Sequence, residues 1–97
     1  MMYLNLWEAN EAAWPKDPKE REKILAPIIV RTKENIENGK IKMWGMSLSG
    51  GHGFNVSEMD PKELFGMVMF TSPYFKAKVM PMLSFNEAMD VMKEMQP

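Results

Sequence analysis

The sequence predicts an α+β fold in which one antiparallel sheet carries helices on one face. Three observations lead there. Four segments have strand length and strand patterning, two longer segments place apolar residues at helical spacing, and the six follow one another as strand, helix, strand, strand, helix, strand. Ninety-seven residues make one domain, 1–97, because chains divide into several cores only at greater length.

The first strand is Met2–Glu8, where Leu4 and Leu6 alternate with Tyr3, Asn5 and Trp7. Pro15 and Pro18 then forbid a continued ladder, and Asp17 stands as a helix cap before a proline suited to the first turn. From Lys19 to Asn38 the positions Leu25, Ile28, Ile29, Thr32 and Ile36 form one stripe, and Gly39 marks the end. Pro27 interrupts this helix and predicts a kink or a late start. Ile41–Ser49 and Phe54–Val56 form a hairpin around Gly50-Gly51-His52-Gly53. Asp60-Pro61 opens a second helix with Leu64, Phe65, Val68 and Met69, which ends near Thr71. Phe75–Leu83 is the last strand, and Ser84 with Glu87 forms a capping box for a short C-terminal helix carrying Phe85, Ala88, Met89 and Met92.

This order is the ferredoxin-like βαββαβ arrangement with an extra C-terminal helix. Strict alternation sends Leu4, Leu6, Trp44, Met46, Leu48, Phe54 and Val56 to the helix side. Tyr3, Asn5, Trp7, Met43, Ser47, Asn55 and Ser57 are then expected on the open side. Aromatic and methionine side chains on an open sheet predict burial against a second copy, hence a homodimer or a higher homo-oligomer.

A 45% hydrophobic, 26% charged composition excludes disorder over most of the chain. Twelve basic against thirteen acidic residues leave a net charge of −1, which removes the basic footprint of a nucleic-acid binder. Without cysteine there are no disulfides, zinc ribbons or thiolate chemistry, and the expected setting is cytoplasmic. No apolar run reaches membrane-spanning length, so no membrane partner is expected.

With these segments in place, the chain resembles the dimeric α+β barrel superfamily, in particular its small members of DUF3303 and muconolactone isomerase-like type. The residues that carry the resemblance are Tyr3-Leu4-Asn5-Leu6-Trp7-Glu8, Gly39-Lys40-Ile41, Gly50-Gly51-His52-Gly53-Phe54 and Val79-Met80-Pro81-Met82-Leu83-Ser84 with Glu87-Ala88. The resemblance implies a ferredoxin-like protomer whose sheet pairs with that of its partner around a cavity. In different relatives such a cavity serves isomerases, monooxygenases or ligand binders, so the fold does not select among them.

Candidate site residues come from chemistry. His52 is the sole histidine, and Glu8 ends the first strand; these are the candidates for proton transfer in an isomerase or a cofactor-independent monooxygenase. Tyr3, Trp7 and Trp44 with Asn5, Ser47 and Asn55 suit a pocket for a small, partly apolar molecule, and Lys78 suits an anionic group on it. Twelve methionines raise the question of Cu(I), but they fall at packing positions without cysteine, so no metal or other cofactor is expected. The function expected first is binding of a small organic ligand beside the sheet. An enzyme using His52 or Glu8, and a purely structural assembly protein, are the alternatives.

Overall fold

The computed structural model describes residues 1–96. It contains strands β1 (Met2–Ala9), β2 (Ile41–Met46), β3 (His52–Ser57) and β4 (Phe75–Met82), and helices α1 (Pro18–Glu37), α2 (Pro61–Thr71) and α3 (Phe85–Glu94). A short 3-10 turn, Glu11–Ala13, links β1 to α1. The sheet is antiparallel in the order β2-β3-β1-β4, the ferredoxin-like topology with one additional helix.

Local chemistry sets the element boundaries. The Asp17 carboxylate accepts from the Lys19 amide at 3.1 Å, and the Asp60 carboxylate accepts from the Glu63 amide at 2.9 Å. Each thereby satisfies one of the free amides of a helix start, with proline filling a position that needs no donor. Ser84 and Glu87 complete both bonds of their capping box. α1 starts at its cap and runs through Pro27 to Glu37, so the late start expected from Pro27 does not occur. The cap and Pro18 determine the start, and Pro27 lies on an exposed position.

The faces differ from strict alternation. Tyr3, Asn5, Trp7, Asn55 and Ser57 turn toward the helices, and Leu4, Leu6, Phe54 and Val56 line the open face. On β2 a bulge between Ile41 and Met43 lets Ile41 and Trp44 share the helix side, while Met43 faces out. The expectation therefore held for Trp44, Met46 and Met43 but is corrected for β1 and β3. Both sets on those strands contain large apolar side chains, so alternation separates two faces without saying which is inner.

The buried core is small: Ile41, Met59 and Leu64, joined by Tyr3, Met67 and Val79. It lies where α2 covers the end of the sheet near Tyr3 and Ile41. α1 lies against β2. The remaining space between α1, α2 and the sheet is not filled by side chains.

Candidate functional site

That space is a cavity of about 850 Å³. Its floor is the helix side of the sheet, with Asn5, Trp7, Trp44, Met46 and Asn55; its roof is the α1 stripe Leu25, Ile28, Ile29, Thr32 and Ile36, and Met67 and Val68 of α2 add a wall. The stripe arises because residues three and four apart share one side of a helix. Apolar groups here remain open to solvent: Ile29 is 55% exposed, Met46 56% and Trp44 41%.

One end of the cavity is aromatic. Trp7 and Trp44 stack with ring centroids 5.7 Å apart and planes at 21°, although β3 lies between their strands. Gly53 is the register partner of Trp7 and has no side chain, which leaves the gap across which the two indoles meet. A Cβ at that position would stand 2.5 Å from the Trp7 ring and 2.1 Å from the Gly45 carbonyl oxygen. Phe75 packs edge-on against both Trp7 and Trp14 at 5.7 and 5.5 Å. The Trp14 indole donates to the Tyr74 carbonyl at 2.9 Å, and Asn10 donates its side-chain amide to the Pro73 carbonyl at 3.0 Å. These bonds tie the loop after β1 to the start of β4 and hold the wall in place.

Polar groups are few and are set into the floor. Asn5 and Asn55 face each other across β1 and β3. Asn5 Oδ1, Trp7 Nε1 and Ser57 Oγ are buried without hydrogen-bond partners, each a cost of about 1–3 kcal/mol unless another group meets it. At the rim the Arg21 guanidinium donates to the Pro15 carbonyl at 2.6 Å and pairs with Glu11 at 3.5 Å. Charge thus stays at the mouth.

Of the seven residues expected to contact a ligand, Asn5, Trp7, Trp44 and Asn55 line this cavity. Tyr3 packs on the core cluster, and Ser47 lies in the turn, with its hydroxyl 2.9 Å from that of Ser49. Lys78 is opposite Leu6 and so lies on the open face. Glu8 and His52 are register partners, exposed on that same face and outside the cavity lining. The α1 stripe, Trp14, Phe75 and Met46 are site residues that the sequence pattern does not single out. Thr32 within the stripe was the available signal of a polar contact. Among the described residues no group of three or more histidine or carboxylate side chains is placed to hold a metal ion, and no helix is long and apolar enough to cross a membrane. Comparison of the chain with protein-family models and with curated proteins returned no match.

Proposed function

We propose that this protein binds a small, largely apolar organic molecule with a planar ring in the cavity between the sheet and α1. The observation that carries this is the cavity itself, about 850 Å³ of space walled by apolar side chains that nothing in the chain covers. Its size and lining are those of sites that enclose small molecules: mostly apolar, with a few polar groups for orientation. A ring would slide along the Trp7 and Trp44 faces, where offset aromatic contacts add about 0.5–1.5 kcal/mol beyond burial. Asn5, Asn55 and Thr32 would orient one polar substituent. In this proposal the protein is a cytoplasmic homodimer of the dimeric α+β barrel type, and the second copy covers the open face of Leu4, Leu6, Phe54, Val56 and Met80. Glu8 and His52 then belong to the interface side, which favours binding over turnover.

The test is native mass spectrometry of freshly purified protein together with an Ile28→Asp variant that places an unpaired charge in the apolar lining. The expected result is a dimer with retained small-molecule mass, or one that takes up one naphthol-sized aromatic per protomer, and a variant that stays dimeric but binds nothing. Equal uptake by the charged variant would refute the cavity as the site.

A further inference from the structure

The chain leaves a second apolar surface partly uncovered, on α3. Its capping box is complete, yet none of its residues is buried, with Phe85 76% and Met92 56% exposed. Phe85, Met89 and Met92 recur at positions i, i+4 and i+7, which places them on one stripe. Ala88 and Met89 are half-buried, while Phe85, Val91 and Met92 stay exposed. A helix of ten residues is marginal alone in water, since isolated helices need roughly 12–15 residues even with favourable composition. α3 therefore requires a surface.

The dimensions leave surface for a second copy. The molecule measures 62 × 25 × 24 Å with a radius of gyration of 16.2 Å, against about 12.5 Å for a compact chain of this length. It exposes 7247 Å², whereas a compact monomer of this mass exposes about 5,700 Å². The excess, roughly 1,500 Å², is ample for a stable dimer, which needs about 800 Å² from each partner. Charge points the same way. Asp90 and Glu94 on α3 make no ion pair, and Lys76 and Lys78 on the open face of β4 make none either, among the described residues.

We infer that α3 is an arm that packs across the subunit boundary, laying Phe85, Met89 and Met92 on a second copy of the chain and bringing Asp90 and Glu94 toward that copy's β4 lysines. The inference rests on the homodimer proposed above. Reciprocal exchange by a two-fold axis buries both arms at once.

Hydrogen exchange read by mass spectrometry, over a dilution series whose subunit count is followed by native mass spectrometry, tests it. The expected result is α3 amides protected in the dimer and released on dilution to monomer. A Phe85→Ser, Met92→Ser double variant should raise the dimer dissociation constant by roughly tenfold or more, while β1 and β3 amides keep their protection. A dimer whose α3 amides exchange freely would overturn the arm and leave the homodimer standing. Protection that ignores dilution would place α3 on its own chain and also overturn it. A monomer at every concentration would end both proposals.

Discussion

Gly53 decides how the aromatic wall is built, because only a residue without Cβ lets Trp7 lie over β3 and reach Trp44. Gly53→Ala should therefore destabilise the fold by about 1–3 kcal/mol, since the new methyl meets a backbone oxygen as well as the indole. Urea unfolding measures the loss, and near-ultraviolet circular dichroism should show the two indoles uncoupled. An unchanged spectrum would mean that the stack does not depend on the glycine. Ser57 behaves in the opposite sense. It is fully buried with an unpartnered hydroxyl, so Ser57→Ala should be neutral or stabilise by up to about 1 kcal/mol. A clear destabilisation would reveal a partner for that hydroxyl. Neither effect is visible in a linear chain, because both depend on which residue of β1 or β2 lies opposite.

At the scale of elements, capping was the most legible feature. Asp17, Asp60 and Ser84 with Glu87 act within three residues of themselves, and each cap lies where its residue type predicts. Two of these carboxyls carry a pH signature. The Glu63 amide donating to Asp60 holds that carboxyl below its ordinary value of 3.8. The Ser84 amide does the same for Glu87, below 4.5. A carboxyl lowered in the folded state supports folding fully above its unfolded value, and the support is lost as pH falls through the folded value. Thermal stability should thus hold down to about the ordinary carboxylate range and fall below it. Asp60→Asn, which caps without titrating, should flatten part of that fall. Identical acid limbs for both proteins would show that this cap contributes nothing to the pH dependence. Pro27 does not set the start of α1, because a proline's cost does not fix where a helix begins once the preceding cap has done so.

For the whole molecule, the open face is the surface that sets assembly. Leu6 is 41% exposed there, beside Leu4 and Val56. In the proposed dimer, Leu6→Lys should raise the dissociation constant by about 100-fold or more, because a two-fold axis applies a loss of about 1.5–3 kcal/mol twice. Sedimentation velocity across concentration checks this, and circular dichroism confirms that the protomer remains folded. A variant as dimeric as the parent would move the interface elsewhere. Trp7, by contrast, lies on the cavity side and should not alter assembly directly.

The sequence by itself determined the element order, the helix caps, the α+β class and the four cavity residues Asn5, Trp7, Trp44 and Asn55 as chemically apt. These follow from local pattern and residue type, which act over a few positions. Tertiary structure decided which face of β1 and β3 is inner, that a bulge puts Ile41 beside Trp44, and that Lys78, Glu8 and His52 share the side away from the cavity. It also decided that the α1 stripe roofs an unfilled space and that Phe85 and Met92 of α3 stay exposed. The physical reason is that a period of two defines two faces without ranking them, and packing ranks them only when distant segments meet.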